Sequence, residues 1–497
     1  MRVFITGATG FIGRALVPIL NRSGHQVMAW ARSPERARNL LGADVEIVAA
    51  TAGGGILRGS LERCDAVVNL AGESIMGGRW TEARRRVLTE SRVSLTRQLV
   101  QAIAEAGPRP RILISGSAVG YYGDRGTEVL NEVSTGGRGF LAHLCHAWEA
   151  EAQAAADKDK GIRVVILRTG VVLGRGGGAL EQMLPPFRLG AGGPVGSGRQ
   201  YMPWIHLHDV VHMIAAALVD DRYHGPINLV APEEATSLQF AKALGRALHR
   251  PAVLPLPAGA LRLIFGEAAG VLLGSQRVVS PRLREIGFAC QFPDLDRALA
   301  DILVNGDVQI TPFRSSREND ERGGGGYLRQ RRPRYELRAR TVLDCPVEQA
   351  FPFFSKAENL GLITPAAMRF QIDGTAPALA LGATIDYRLR VGPIPIQWRT
   401  RIEDWEPQHR FVDVQESGPY RGWWHEHTFY AEGDRTVMED RVLYAPPLGL
   451  LGRLANRMFV VPTLRKIFGY RGDVIRLRFG RTGGVRGRSA WCREIQK

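Results

Sequence analysis

The chain has 497 residues, 45% hydrophobic and 23% charged, which is typical of a globular protein with about two to four domains and disfavours a disordered or fibrous chain. Five widely spaced cysteines without a Cys-x-x-Cys pair disfavour a disulfide scaffold and a zinc ribbon. The net charge of +16 is compatible with nucleic-acid binding, but the densest basic run, Arg329–Arg334, lies in a glycine-rich connector, so we expect no nucleic-acid partner.

The sequence predicts neither a membrane span nor a signal peptide. The longest apolar segment, Leu263–Gly274, is shorter than the about 20 residues that cross a bilayer, and it carries Glu267. The apolar run that begins at Val3 breaks into glycines too early for a signal peptide. We therefore predict a cytoplasmic protein.

The first 230 residues alternate short apolar strands with helix-length segments. This spacing predicts an α/β domain of the Rossmann type, with a doubly wound parallel sheet that binds ligands at the carboxyl ends of its strands. The predicted strands are Arg2–Ile5, Gln26–Ala31, Val45–Val48, Ala66–Leu70, Arg111–Ser115, Arg163–Arg168 and Ile227–Val230.

A glycine-rich loop follows the first strand and leads into an amphipathic helix. Glycines at this place permit a tight turn, and the free N–H groups of the helix N-terminus bind a pyrophosphate. We expect cofactor contacts from Thr6, Gly7, Thr9, Gly10, Phe11, Ile12 and Gly13.

The second strand is followed by Arg32 and Ser33, where an NAD site usually offers a carboxylate to the ribose. Arg32 is suited to donate to a 2′-phosphate, with Ser33 beside it. NADP is therefore favoured over NAD, with a solvated loop cation as the alternative reading of Arg32.

The composition and pattern of the sequence divide the chain into five segments. Residues 1–232 form the predicted Rossmann domain, 233–304 read as a helical extension, and 305–334 read as a Gly/Arg-rich linker. Residues 335–480 combine a strand, a helix opening at Pro346, alternating strands and a terminal helix, which predicts an α+β domain before a basic tail, 481–497.

Motifs spread over residues 1–303 resemble the atypical short-chain dehydrogenase/reductase group of sugar-nucleotide-epimerase-like proteins, and residues 254–303 resemble the C-terminal extension of that group. The motifs are the Thr6–Gly13 loop, Asn69–Glu73, Arg79–Thr81, Ser91–Val93, Ser117–Gly123, Arg168–Gly174 and the Trp204-Ile-His-x-x-Asp209 pattern.

The resemblance implies an NADP-dependent oxidoreductase or epimerase-like protein acting on a small molecule. It places Asn69, Ala71 and Gly72 against the nicotinamide ribose. Thr169 and Gly170 would approach the carboxamide, with ordinary strand termination as the alternative.

The usual acid/base pair of typical short-chain dehydrogenases, a tyrosine with lysine four residues later, is absent. On the predicted helix, 140–156, Leu141 and Cys145 occupy these two positions. Ser117 matches the family serine, and the candidate proton carriers are Tyr121, Tyr122, His143 and His146, each with a packing role as the alternative. A non-catalytic NADP(H) sensor or scaffold is therefore the competing hypothesis.

Two histidine patterns contain metal-ligand residue types, but a capping or packing role explains each of them better. No metal is therefore predicted. His206, His208 and His212 lie near Asp209 but also suit helix capping and packing. His425 and His427 share one face of a predicted strand, with no third ligand evident in the sequence.

Residues 335–480 resemble the START-like (SRPBCC) superfamily of polyketide cyclases and lipid-transport proteins. The resemblance implies a helix-grip fold, in which a curved sheet holds a long helix around a cavity for a hydrophobic ligand. The candidate lining residues are Phe351, Phe354, Trp398, Trp405 and Trp423, which would equally suit a filled core.

Overall fold

A computed structural model describes residues 1–50, 54–156, 161–303, 308–313, 331–447, 452–453 and 455–480. Most of the predicted linker and the whole basic tail therefore lie outside the described residues. The chain forms two compact units, Met1–Gly306 and Asp307–Lys497. No helix within these ranges has the length and apolar character needed to cross a bilayer. The four cysteines in the described ranges are unpaired.

The first unit is built on a parallel sheet of seven strands in its described part. The strands are β1 (Arg2–Thr6), β2 (Gln26–Ala31), β3 (Glu46–Ala49), β4 (Ala66–Asn69), β5 (Ile112–Ala118), β7 (Arg163–Thr169) and β10 (Gly225–Leu229). Their order is β10-β7-β5-β4-β1-β2-β3, with all pairs parallel. All seven predicted strands are confirmed, with boundaries that differ by up to three residues.

Two small parallel sheets, not predicted, accompany the main one: β6 (Val129–Leu130) with β11 (Arg277–Val278), and β8 (Val171–Leu173) with β9 (Trp204–His206). They order the loops that follow β5 and β7.

The helices of the first unit pack apolar side chains against the sheet. They are α1 (Phe11–Arg22), α2 (Pro34–Leu41), α3 (Gly54–Leu61), α4 (Glu82–Thr89), α5 (Leu95–Glu105), α6 (Phe140–Gln153), α7 (Gly178–Arg188), α8 (Leu207–Val219), α9 (Ser237–Leu248), α10 (Ala258–Phe265), α11 (Gly270–Leu273), α12 (Pro281–Ile286) and α13 (Leu295–Leu303). Side chains of α3, α5 and α6, such as Leu61, Leu99 and Ala152, pack with Phe4 and Leu113 of the sheet. α1 and α8 pack against each other.

The helical extension is fastened to the rest of the first unit through a buried carboxylate. Asp209, 2% exposed near the start of α8, accepts hydrogen bonds from the backbone N–H groups of Gln291 (2.8 Å) and Phe292 (3.1 Å). A buried carboxylate that accepts two backbone N–H groups orders both segments.

The second unit contains an antiparallel sheet, which has eight strands among its described residues. They are β12 (Val308–Pro312), β13 (Tyr335–Leu343), β14 (Gln371–Ile372), β15 (Thr384–Val391), β16 (Ile394–Glu406), β17 (Arg410–Ser417), β18 (Gly422–Glu432) and β19 (Arg435–Ala445), in the order β12-β13-β19-β18-β17-β16-β15-β14. β12 lies inside the segment predicted as a linker: it is an edge strand that pairs with β13.

Two helices pack on this sheet: α14 (Val347–Phe354), which begins after Pro346 as predicted, and α15 (Val461–Phe479). Leu464 and Phe468 of α15 pack with Trp423 and Tyr444 of the sheet. The predicted α+β class is thus observed, with the long helix against one sheet face.

Candidate functional site

The glycine loop makes a tight turn where the strand order of the sheet reverses, between β1 and β4. Gly7 has a φ of +70°, and a Cβ atom there would lie 2.7 Å from the carbonyl carbon of Leu70. At Gly13, the first turn of α1, a Cβ atom would lie 2.4 Å from the carbonyl oxygen of Gly7. Any larger residue at either position would collide with the backbone. Glycine at both positions therefore permits this tight turn, which places the N-terminus of α1 at the switch point between β1 and β4.

Of the predicted residues of this turn, Gly10 is exposed, and the partly exposed ones are Gly7, Thr9, Phe11 and Ile12. The ring of Phe11 packs on a glycine-rich loop after β8, since a Cβ atom at Gly177 would lie 2.5 Å from it. The first turn of α1 carries no acidic residue, so its positive end is not offset by a local carboxylate.

Thr6 and Asn69 form a buried hydrogen-bonded support beneath the turn. The Thr6 hydroxyl donates to Asn69 Oδ1 (2.7 Å), and Asn69 Nδ2 donates to the Thr96 hydroxyl (2.8 Å). The Ala71 N–H donates to Thr6 Oγ1 (3.3 Å). The Asn69 side chain therefore points into the protein, 1% exposed, where it joins the ends of β1 and β4.

Arg32 and Ser33 lie exposed beyond the end of β2. The Arg32 side chain is 86% exposed and its Nη2 lies 3.3 Å from Glu73 Oε1, across the loop that follows β4. Ser33 precedes α2 but makes no side-chain capping bond. Both groups are therefore free to reach a ligand, and a surface ion pair of this kind is worth only about 0–1 kcal/mol.

Ser117, at the end of β5, belongs to a buried ion network that the sequence did not predict. Its hydroxyl donates to Glu149 Oε1 (2.5 Å). Glu149, on α6, forms a two-pronged pair with Arg168 of β7, with distances of 3.0 and 2.8 Å. Since both ions are buried, the pair fixes where the Ser117 hydroxyl points.

Tyr122 is completely buried in the same network. Its hydroxyl lies 2.7 Å from Asn228 Oδ1, 2.9 Å from the Asn131 carbonyl oxygen and 3.0 Å from Arg168 Nη1. Burial raises the pKa of Tyr122. The Tyr122 hydroxyl is therefore held by core hydrogen bonds, and a role as proton carrier stays a prediction.

Tyr121 is partly exposed and lies over a cation. The guanidinium carbon of Arg168 is 3.5 Å from the centre of its ring. Arg125, four residues after Tyr121, binds Glu128 (2.8 Å). On α6, the ring of His146 meets Tyr121 edge-on at 4.5 Å, while His143 is exposed. The structure thus brings Tyr121 and His146 together.

Cys145 occupies the position of the usual lysine and is buried. Burial raises the pKa of the Cys145 thiol to about 12, so it stays neutral. Arg92 brings a buried cation to the loop that follows β4. It lies in a π-helical turn (Glu90–Ser94) and donates to the Glu73 carbonyl oxygen (2.8 Å). A Cβ atom at Gly72 would lie 3.0 Å from its guanidinium carbon. Such π-helical turns frequently mark functional sites.

Thr169 is the last residue of β7 and Gly170 follows it, at the same edge of the sheet. The Gly170 N–H donates to the Leu229 carbonyl oxygen (3.0 Å), and a Cβ atom at Gly170 would lie 2.8 Å from the Pro203 carbonyl oxygen. Glycine is therefore required at 170 by close backbone packing, and a cofactor contact there stays a prediction.

The histidines near Asp209 are used in local structure. His206 Nδ1 accepts the His208 N–H (3.1 Å), and His212 Nδ1 lies 2.8 Å from the His208 carbonyl oxygen. The rings of His208 and His212 stack at 3.8 Å, and burial lowers the pKa of His212 to about 4. They form no cluster with metal-binding geometry among the residues described.

The second unit encloses a cavity of about 190 Å³ with a mainly apolar wall. Phe354, Trp398 and Trp423 line it as predicted, whereas Phe351 and Trp405 do not. The rings of these two pack on each other at 5.6 Å within the core.

One end of this cavity is polar. Asp413, His425, His427 and Arg471 line it, and Asp440 lies behind them. Strand register brings carboxylates that are not evident from the sequence to the two histidines, because it pairs His425 with Asp413 on β17 and His427 with Asp440 on β19.

Among known protein families, the NAD dependent epimerase/dehydratase family matches residues 3–229. Residues 256–302 match a domain of unknown function, DUF1731. This second match falls within the segment predicted as a family-specific extension.

The human epimerase family protein SDR39U1 is 41% identical over 308 residues, covering 61% of this chain and 100% of the relative. The chloroplastic SDR39U1 homolog of Arabidopsis thaliana is 39% identical, covering 61% of this chain and 87% of the relative. A crystal structure of the human protein with NADPH has a TM-score of 0.56 at 40% identity, covering 61% of this chain and 100% of that one.

Proposed function

The chain belongs to the NAD dependent epimerase/dehydratase family, and from that premise we propose that its first unit binds NADPH and acts as an oxidoreductase or epimerase-like enzyme on a small molecule. The observation that carries the proposal is the Gly7–Gly13 turn, closed against Leu70 at the switch point of the sheet. Its backbone N–H groups and the positive end of α1 are suited to a pyrophosphate.

The choice of NADPH over NADH rests on Arg32. The position directly after β2, where an NAD site usually has a carboxylate, is occupied by Arg32, and its exposed guanidinium suits a 2′-phosphate. The NADPH found with the human relative agrees with this choice.

Calorimetric titration of the full chain with NADPH and NADH tests the cofactor proposal. A charge-assisted bond to phosphate is worth about 1.5–3 kcal/mol, and we expect the lower end at this exposed site. Arg32→Ala should therefore weaken NADPH binding about tenfold and leave NADH binding unchanged. Arg38→Ala, which removes the same charge from the exposed surface of α2, is the control and should change neither. Equal losses in both variants would contradict a local phosphate contact.

The proposed chemistry centres on Ser117, with NADPH supplying the hydride when bound. Because the Ser117 hydroxyl donates its hydrogen bond to Glu149, its oxygen is left to accept a hydrogen bond from the hydroxyl that forms when a hydride and a proton add to a substrate carbonyl. Glu149 is fixed in turn by Arg168, so this acceptor is held in place before substrate binds.

The proton that accompanies the hydride is assigned to the Tyr121–His146 pair. The imidazole of His146 can carry a proton and touches Tyr121, whose ring lies on Arg168. Tyr122 is left out of this proposal because its hydroxyl is buried. Tyr121→Phe and His146→Gln should each lower turnover without weakening NADPH binding.

The competing function is a non-catalytic NADP(H) sensor, favoured by the neutral Cys145 in place of the usual lysine. Incubating the protein with NADPH and a broad panel of carbonyl compounds separates the two hypotheses. Consumption of NADPH that falls in Ser117→Ala supports an enzyme. Bound NADPH that stays unreacted with every compound supports the sensor.

For the second unit we propose a START-like domain that binds a hydrophobic molecule carrying a hydrogen-bond acceptor. Its cavity is mainly apolar, and the Trp398 indole N–H in its wall has no partner among the described residues. Leu389→Trp, which fills the cavity from its wall, should abolish binding of an apolar fluorescent probe. Leu381→Trp, at an exposed position outside the lining, is the control.

A further inference from the structure

The polar end of the cavity in the second unit places two imidazoles between two carboxylates. His425 lies with Nδ1 3.3 Å from Asp413 Oδ2 and Nε2 3.1 Å from Asp440 Oδ1. His427 lies with Nε2 3.1 Å from Asp413 Oδ2 and Nδ1 2.7 Å from Asp440 Oδ1. All four ring nitrogens therefore face a carboxylate oxygen.

A proton count shows that neutral imidazoles cannot satisfy these four contacts. Each neutral ring has a single N–H, and the shortest contact assigns the one on His427 to Asp440. With the His425 N–H also on Asp440, two nitrogen lone pairs are left facing Asp413 Oδ2. Asp413 Oδ2 contributes a third lone pair at the same point, 3.3 Å from His425 and 3.1 Å from His427. Three lone pairs that converge at this spacing are suited to bind a metal ion between them.

We propose that Asp413, His425 and His427 bind a divalent transition-metal ion of the zinc class. Such an ion lies about 2.0–2.2 Å from its nitrogen and oxygen ligands, which places ligand atoms of a tetrahedral site about 3.3 Å apart. The two distances from Asp413 Oδ2, 3.3 and 3.1 Å, fit this edge length. The three ligating atoms all lie within 4.8 Å of one another.

Asp440 and Arg471 complete the site behind the ligands. Asp440 is 3% exposed and accepts the remaining N–H of each histidine, the arrangement that orients metal-bound imidazoles. Arg471 Nη2 lies 3.3 Å from His427 Nδ1 and 3.5 Å from Asp440 Oδ1, whose charge it offsets. The two carboxylates and Arg471 together carry a net charge of −1, which attracts a dication.

The fourth coordination position opens toward the cavity, because all three ligands are part of its wall. Three protein ligands and one open position are typical of a catalytic zinc site, in which water or a substrate oxygen is the fourth ligand. The site would thus hold the polar group of a molecule whose apolar part fills the cavity.

Titration of the untagged, chelator-treated full chain with Co²⁺ tests the site through the visible absorption of four-coordinate Co²⁺, with Zn²⁺ as the competitor. We expect one Co²⁺ per chain, displaced by Zn²⁺. The isosteric variants Asp413→Asn and His427→Gln should abolish the absorption, and Asp440→Asn should weaken binding about 10–100-fold. His409→Gln, at an exposed histidine in the turn before β17, is the control and should bind as the original protein does.

Circular dichroism shows whether each variant is folded. Co²⁺ binding to the original protein tests the proposal even where a variant is not. Absence of Co²⁺ and Zn²⁺ binding to it would overturn the proposal and leave a proton on one imidazole as the bridging cation. Binding that persists in folded Asp413→Asn and His427→Gln would also overturn it, since the ion would then lie elsewhere.

Discussion

Replacing Glu149 with glutamine should destabilise the first unit strongly, because it leaves the Arg168 guanidinium buried without its counter-ion. The two side chains are only 4% and 10% exposed. Removing one partner of such a pair costs about 3–5 kcal/mol. The Tyr122 hydroxyl and the Glu132 carbonyl oxygen would still contact Arg168, at 3.0 and 3.1 Å, so we expect the lower half of that range.

Hydrogen exchange of the β5 and β7 amides, followed by mass spectrometry, measures the free energy of unfolding of this sheet separately from the second unit. Glu151→Gln is the control, two residues away on α6, where the pair with Arg97 is partly exposed and should be worth at most about 1 kcal/mol. The double variant Glu149→Leu/Arg168→Met should be less destabilised than the sum of its single variants, because no buried charge is left uncompensated. A loss below about 1 kcal/mol in Glu149→Gln, or additive losses in the double variant, would refute this reasoning.

Three further predictions concern the first unit. Gly13→Ala should abolish NADPH binding because its Cβ atom would lie 2.4 Å from the Gly7 carbonyl oxygen, whereas Gly59→Ala on α3, which meets nothing within 4 Å, should leave calorimetric titrations unchanged. Glu73→Gln should tighten NADPH binding about two- to fivefold at low salt by releasing Arg32, and unchanged or weaker binding would contradict the assignment. The pKa of His212 is lowered by burial to about 4, from 6.5 when unfolded, so the unfolded chain binds more protons between these values. Its stabilising contribution is present above pH 6.5 and is lost as the pH falls toward 4, by up to about 3 kcal/mol; urea unfolding at pH 7 and pH 5 should show this loss, and His212→Gln should reduce it.

The strands and the glycine turn were predictable from local patterns. Seven apolar runs at helix-length intervals are typical of a parallel sheet with crossover helices. The glycine turn, with Gly7 and Gly13, follows the first of these runs. Each apolar run, and the glycine turn, lies within about 15 residues of chain, which is why single-sequence reasoning finds them.

The ion network around Ser117 was less accessible because its members come from separate elements. Glu149 lies four residues after Cys145 on the same helix face, so an acid at this spacing, next to a strand-end Arg168, is a usable signal in retrospect. Arg92 was part of a recognised motif, but its burial depends on a π-helical turn that no local pattern indicates.

The cluster in the second unit depends on strand register. Asp413 becomes a partner of the histidines only because β17 pairs with β18 so that Asp413 lies opposite His425. A register shift of one residue would turn Asp413 to the other face of the sheet. The edge strand β12 was missed for a related reason, since its pairing with β13 is not visible from its own five residues.

The measurement that tests the central claim most directly is a crystal structure of the full chain with NADPH. The account predicts the pyrophosphate on the N–H groups of the Gly7–Gly13 turn, the 2′-phosphate within hydrogen-bond distance of Arg32, and the nicotinamide ring beside Ser117. A nucleotide bound away from this turn, or a 2′-phosphate that does not contact Arg32, would contradict it.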